Sequence, residues 1–170
     1  HLLESVRALK LDPVIQLACS SEQYGLAQPD ALPITEHSPF HPLSPYAVSR
    51  IAIDLMGYQY FKSYGLKIIR TRAFNHTGPG QAAEFVCSAF AKKIALIEAG
   101  KLAPVLTVGN LDAVRDFTDV RDMARAYVLA TQAAKPGEAY VICSGRGRRI
   151  QEDLDTVVSF SRVPIKVASD

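Results

Sequence analysis

Apolar and polar positions follow two periods along this chain. Leu2, Leu3, Val6 and Leu9 recur at helical spacing and predict a helix already under way at residue 1. Pro13 punctuates it, and VIQLACS (Val14–Ser20) predicts a buried strand. From Gly25 to Ser44 the chain is polar and carries Pro29, Pro33, Pro39 and Pro42, which predicts a long ordered loop. Loops of that length inside a domain are usually functional. Ser44 then reads as an N-cap and Pro45 as the first residue of a helix running to about Tyr64, with Gly65 at its C′ position.

The remainder alternates in the same way. KIIRTRAF (Lys67–Phe74) predicts a strand, and NHTGPGQ (Asn75–Gln81) a turn-rich loop. Phe85 to Ala99 predicts an amphipathic helix closed by Gly100, and PVLTV (Pro104–Val108) a short strand. The stretch GNLDAVRDFTD predicts a loop, with Asp119 capping a helix from about Val120 to Ala134. Then follow a strand at Glu138–Ser144, a turn at GRGR (Gly145–Arg148), a helix from Ile150 to Ser161 and a last strand at PIKV. Strands alternating with helices in this way predict a parallel α/β architecture.

Composition narrows the picture. The 170 residues suffice for one domain and hardly two, and 48% hydrophobic with 21% charged residues is the range of a globular protein. No apolar run approaches the roughly 20 residues that span a bilayer, and no basic segment precedes an apolar core as in a signal peptide. The expected location is cytoplasmic, with no membrane partner. The net charge of +2, with signs mixed along the chain, gives no support for nucleic-acid binding. Cys19, Cys87 and Cys143 are far apart and odd in number, so their spacing predicts neither a disulfide framework nor a metal site. The first residue is His1, inside a predicted helix, which predicts a piece of a longer protein.

Chemistry concentrates where strands end. On a helix, Tyr46 and Arg50 share a face. A phenol titrates near 10 and exchanges protons poorly at neutral pH, but a neighbouring cation favours phenolate. Such a tyrosine passes a proton to or from a carbonyl or alcohol oxygen while a hydride moves at carbon. Taken alone, the pair is an ordinary surface contact. It is joined by SSEQYG (Ser20–Gly25), at the carboxyl end of a strand, where doubly wound sheets bind ligands. There the hydroxyl of Ser20 or Ser21 can hold a substrate oxygen and Glu22 can act as a general base, although serine also favours turns for its own sake. RAFNHTGPGQ is a second such junction, where Asn75, His76 and Thr77 supply donors and Gly78 and Gly80 admit a ligand to the backbone. A hydrogen-bonded structural role is the plainer reading of His76. In RDFTDVRD, Arg115 precedes a predicted helix N-terminus and suits phosphate; a surface salt bridge among Arg115, Asp116, Arg121 and Asp122 is the alternative.

With SSEQYG, SPYAVSR and RDFTDVRD in this order, the chain resembles the extended short-chain dehydrogenase/reductase family that acts on nucleotide sugars. FNHTGPGQ, FVCSAFAKKIALIEAG and VGNLDAVRDFTDVRD make it most similar to reductases of GDP-4-keto-6-deoxy-mannose, and somewhat less to GDP-mannose 4,6-dehydratases. The resemblance implies a partial Rossmann-like doubly wound parallel sheet, lacking its first strands and glycine-rich turn, with a smaller α/β substrate-binding lobe. It implies catalytic roles for Ser20, Ser21, Glu22, Tyr46 and Arg50, with Tyr46 as the proton donor or acceptor. NAD or NADP would lie against Tyr46, Arg50, Ala73, Phe74, Asn75 and His76. The nucleotide sugar would lie against Asn75, Phe85, Val86, Phe90, Lys93, Asn110 and Arg115. Residues 1–81 would form the later half of the dinucleotide-binding domain and 82–170 mostly the substrate lobe, with segments near 104–145 returning to the main sheet. A homodimer through the Tyr46 and Phe85 helices is implied for the complete protein.

Two departures from that pattern matter. The family places lysine where Arg50 stands; arginine keeps the charge, but its planar head does not reproduce an ammonium's contacts with the nicotinamide ribose. The glycine-rich fingerprint is not found in a first strand–helix turn, and the strand at Val14–Ser20 is left with an open edge. The reading is therefore an NAD(P)-dependent nucleotide-sugar reductase. A 4,6-dehydratase or epimerase of the same fold stands as one alternative, and a truncated or degenerate non-catalytic nucleotide-sugar-binding chain as another.

Overall fold

A computed structural model describes residues 1–169. They divide into two compact units: His1–Phe74 with Arg121–Cys143, and Asn75–Val120 with the chain from Ser144 onward.

The first unit is built on a three-stranded parallel sheet of β1 (Ile15–Ser20), β2 (Ile68–Ala73) and β6 (Ala139–Ile142), with β2 in the centre. Ile15 pairs with Ile68 and Ser20 with Ala73, so β1 and β2 end together. Among the described residues no strand pairs with the other edge of β1. Helix α1 (Leu2–Ala8) buries Leu3 and Val6, as the helical spacing predicts, but leaves Leu2 and Leu9 exposed. Helix α2 (Pro45–Tyr64) has its expected limits: the Ser44 hydroxyl accepts the Ala47 N–H, Pro45 opens the first turn, and Gly65 closes the last at φ +70°. Leu3, Val6, Ile15 and Ile68 form the apolar core on that side, with Leu17, Tyr60, Phe61 and Leu66 at its rim. Each such buried aliphatic side chain contributes about 1.5–3 kcal/mol.

Helix α4 (Val120–Ala133) covers the opposite face. Alternate residues of a strand point to opposite faces. Arg70 and Arg72 of β2 bond Asp54 of α2, whereas the intervening Thr71 turns the other way, toward Tyr127 of α4. The sheet is thus wound on both faces.

The second unit holds a small mixed sheet, β3 (Asn75–Thr77), β5 (Val114–Asp119) and β7 (Gly147–Arg149), and a parallel pair, β4 (Val105–Val108) with β8 (Lys166–Ser169). Helices α3 (Val86–Glu98) and α5 (Ile150–Ser159) pack over a core of Phe90, Leu106, Val108, Ile150 and Leu154. Three expectations are corrected in this unit. The Asn75 loop begins with a strand paired to Phe117–Asp119; the stretch before α4 contains β5, whose last residue, Asp119, directly precedes the helix; and GRGR runs into β7, which pairs antiparallel to β5. Strand pairing overrides turn-forming composition here. The Asp116 carboxylate accepts the N–H groups of Ser144, Gly145 and Arg146, which folds the chain into β7.

Candidate active site

Strand β1 ends at Ser20, which caps a 3₁₀ turn over Ser21–Tyr24. The buried Ser20 hydroxyl accepts the Glu22 N–H at 3.2 Å, and the Ser20 N–H donates to Gln23 Oε1 at 2.9 Å. With its oxygen engaged as an acceptor, the hydroxyl keeps its own proton for donation. Ser21 is half-buried and Glu22 exposed. Gly25 closes the turn at φ +66°, where a Cβ would lie 1.9 Å from the His41 carbonyl oxygen. That close approach lets the His41 N–H bond the Gln23 carbonyl, bringing the proline-rich loop back onto the corner.

Tyr46 and Arg50 occupy the first turns of α2. The Arg50 guanidinium lies 4.8 Å from the centroid of the Tyr46 ring, and its Nη1 donates to the Ala18 carbonyl at 3.1 Å. One guanidinium therefore ties the tyrosine to the strand that ends at Ser20. Tyr46 is 49% exposed, so its phenol is open to a ligand. Tyr127 shares this environment: burial raises its phenol above the usual range, Thr71 opposes that, and Tyr46 and Arg50 are both within electrostatic reach.

Behind the corner lies a polar cluster that the sequence pattern does not reveal. Asp54 of α2 is 0% exposed. It accepts from Gln23 Nε2 (3.2 Å), Arg70 Nη1 (2.7 Å), and Arg72 Nε (2.7 Å) and Nη2 (3.1 Å). Burial works against its charge, but the Arg72 bonds, with help from Gln23 and Arg70, hold the carboxyl below its ordinary value. Arg72 also donates to the Tyr24 hydroxyl and the Glu36 carbonyl, and Arg70 to the Gly137 carbonyl. Helix α2, strand β2 and the Ser20 corner are thus pinned to one carboxylate. Beside it, burial pushes the Cys19 thiol up to about 12. Ala47, Asp54 and Gly57 fall on one buried stripe of α2, and Arg70 and Arg72 on one face of β2.

The other expected residues are distributed as follows. Ala73 is buried at the end of β2, and Phe74 N–H donates to the Ile142 carbonyl. Asn75 and His76 lie in β3, paired with Phe117 and Thr118. Phe85 precedes α3 and is exposed, Val86 packs at the rim of the second unit's core, and Phe90 lies inside that core. Lys93 Nζ donates to the Thr107 carbonyl at 3.1 Å, the Asn110 side chain accepts the Asp112 N–H, and exposed Arg115 bonds the Val114 carbonyl. An open cavity of about 420 Å³ lies at the start of α3, lined by Thr77, Gly78, Gln81, Cys87, Ser88 and Ala91.

The residues at the β1 corner fit the nicotinamide end of a dinucleotide. The Tyr46 phenol is accessible, and Arg50 Nε is a buried donor without a hydrogen-bond partner among the described residues, as a site arranged for a ligand oxygen leaves it.

Comparison with known proteins bears on what such a site does. The family model described as GDP-mannose 4,6 dehydratase matches residues 1–168. The chain is 34% identical over 170 residues to a GDP-6-deoxy-D-mannose reductase of Pseudomonas aeruginosa, covering 100% of this chain and 56% of that protein. It is 36% identical over 164 residues to GDP-mannose 4,6 dehydratase 2 of Arabidopsis thaliana, covering 94% and 42%. Among solved structures, RMD from Pseudomonas aeruginosa complexed with NADPH matches with a TM-score of 0.95 at 34% identity, over 99% of this chain and 57% of that one. The dTDP-glucose 4,6-dehydratase of Bacillus anthracis in complex with NAD matches with a TM-score of 0.83 at 25% identity, over 99% and 53%. The chain spans about half the length of the relatives it matches.

Proposed function

The chain belongs to the GDP-mannose 4,6 dehydratase family, and from that premise we propose that it carries the catalytic corner of an NAD(P)-dependent nucleotide-sugar reductase. The substrate is a GDP-4-keto-6-deoxyhexose. The observation that carries this reading is the Tyr46–Arg50 stack bonded to β1 two residues before Ser20. NADH or NADPH, which would be held beside Tyr46 and Arg50, would supply the hydride that adds at the sugar C4. Tyr46 gives its phenolic proton to O4, so that the ketone becomes an alcohol, and then takes a proton back from solvent. The Ser20 hydroxyl donates to the same oxygen, with Ser21 beside it, and stabilises the charge that builds there. Arg50 holds positive charge against the phenol and offers its remaining N–H groups to the cofactor. Asn75, Phe85, Val86, Phe90, Lys93, Asn110 and Arg115 contribute to nucleotide and diphosphate binding, with Phe90 acting through packing.

One observation favours a second reaction of the same family: Glu22 is an exposed carboxylate on the catalytic turn, suited to the proton abstraction that a 4,6-dehydratase needs. Lysine's replacement by Arg50 favours binding without turnover. No helix among the described residues is long and apolar enough to cross a membrane. A cytoplasmic location is part of the proposal. A homodimer is supported by Val48, Leu55 and Met56, which α2 presents to solvent. The mixed charge supports a small-molecule partner over a nucleic acid.

The test supplies the full-length protein with GDP-4-keto-6-deoxymannose and NADPH or NADH, follows loss of the reduced cofactor, and identifies the sugar product. The expected product is the GDP-6-deoxyhexose alcohol. Conversion of GDP-mannose to its 4-keto derivative indicates the dehydratase. Enhanced NADH fluorescence without turnover of either sugar indicates a binding chain.

A further inference from the structure

We infer that Gln23 is a positioning residue for the active site, setting the Ser20 hydroxyl as a hydrogen-bond donor to the substrate oxygen; this rests on the proposed reductase chemistry. Gln23 is 0% exposed, and both ends of its amide are engaged. Its Nε2 donates to Asp54 Oδ2 at 3.2 Å, and its Oε1 accepts the Ser20 N–H at 2.9 Å.

The direction of the amide follows from chemistry. An ionised carboxylate only accepts hydrogen bonds, so the NH₂ group must face Asp54 and the oxygen must face Ser20. Asp54 is itself held by Arg70 and Arg72 and has no freedom to turn away. The chain of contacts therefore runs from two buried arginines through one carboxylate and one amide to the backbone of Ser20. At Ser20 it fixes a β-region N-cap conformation, φ −150° and ψ 147°, in which Oγ accepts the Glu22 N–H. Filling that acceptor position leaves the hydroxyl proton to point elsewhere, and the substrate oxygen takes it. A donor aimed at developing charge acts on the transition state more than on the bound ground state. Misaiming it lowers kcat and leaves KM for the nucleotide sugar nearly unchanged.

The test uses the full-length protein with the 4-keto sugar nucleotide and NADPH, with active sites titrated. Gln23→Met keeps the length of the side chain and removes both hydrogen bonds. The expected result is a kcat lower by about tenfold or more, a KM within about threefold, and a larger primary isotope effect with deuterated cofactor. Ser20→Ala is expected to lower kcat on the order of a hundredfold. Because Gln23 acts through Ser20, adding Gln23→Met to Ser20→Ala lowers kcat no further. Gln23→Glu can donate to Asp54 and keep its carbonyl oxygen toward the Ser20 N–H only as the neutral acid, because its ionised form meets the Asp54 carboxylate; its kcat relative to the parent at the same pH therefore rises as pH falls, and it also serves if methionine prevents folding.

A Gln23→Met protein with parental kcat per active site, beside a slow Ser20→Ala, overturns the inference. So does a full multiplicative loss in the double variant, or a Gln23→Glu protein whose kcat relative to the parent does not change with pH. A parent without turnover, or a Ser20→Ala as fast as the parent, is a different outcome: it removes the reductase reading itself, and this inference with it.

Discussion

Replacing Asp54 by asparagine tests how the corner is held. Asn keeps the volume and one acceptor oxygen but turns the other oxygen into an NH₂ group that faces guanidinium donors. Four hydrogen bonds converge on the Asp54 carboxylate, three of them from Arg70 and Arg72. Both arginines are buried, so losing the charge leaves two guanidinium groups in the interior without their anion. Removing one partner of a buried ion pair costs about 3–5 kcal/mol, because the remaining charge stays desolvated. For a protein of this size that is a fall in Tm of about 6–20 °C. The assay is thermal and urea unfolding followed by circular dichroism at neutral pH. Arg125→Ala, which breaks an exposed pair with Asp122, is the control and costs under about 1 kcal/mol.

The pH dependence has a definite sign. The folded Asp54 carboxyl lies below its ordinary value, so its contribution is present above the unfolded pKa and is lost as pH falls through the folded one. Parent and variant therefore converge in acid. A loss under about 1 kcal/mol at neutral pH, or a gap that widens in acid, refutes the reasoning.

Gly25→Ala forces a side chain into the His41 carbonyl at a left-handed φ. It should cost about 1–3 kcal/mol or more in urea unfolding, and a neutral result contradicts the packing described. Arg50→Lys frees the Ala18 carbonyl and restores an ammonium suited to the ribose. One charged hydrogen bond of about 1.5–3 kcal/mol supports a kcat/KM gain of about tenfold, and a variant no faster than the parent counts against Arg50's assigned place. With a thiol reagent at mild alkaline pH, exposed Cys143 should react first and Cys19 only on unfolding. Burial pushes the Cys19 thiol to about 12, which leaves roughly one part in ten thousand as thiolate near pH 8. Rapid labelling of Cys19 in the folded protein contradicts its placement.

What was legible in the sequence is what local chemistry dictates. Ser44, Pro45 and Gly65 mark the ends of α2 through capping rules alone, and VIQLACS and KIIRTRAF are apolar enough to read as strands. The SSEQYG corner and the Tyr46–Arg50 pair were also legible, because strand-end and helix-face positions follow from spacing. Strands β3, β5 and β7 were not. Their residues are polar, and their pairing joins Asn75 to Phe117 and Val114 to Arg149, partners far apart in the chain. The Asp54 cluster was hidden for another reason. Alternating Ile, Arg and Thr in β2 suggests one wet face, yet all six residues of the strand are buried. Its arginines are interior because a carboxylate on α2 neutralises part of their charge, and no rule of local spacing predicts that pairing.

The most direct measurement of the central claim is kcat for NADPH-dependent reduction of GDP-4-keto-6-deoxymannose by the full-length protein and its Tyr46→Phe variant. The account predicts turnover by the parent and a loss of about a hundredfold to ten-thousandfold when the phenolic proton is removed, with cofactor binding retained. A Tyr46→Phe protein that reduces the ketone within about threefold of the parent's rate would contradict it.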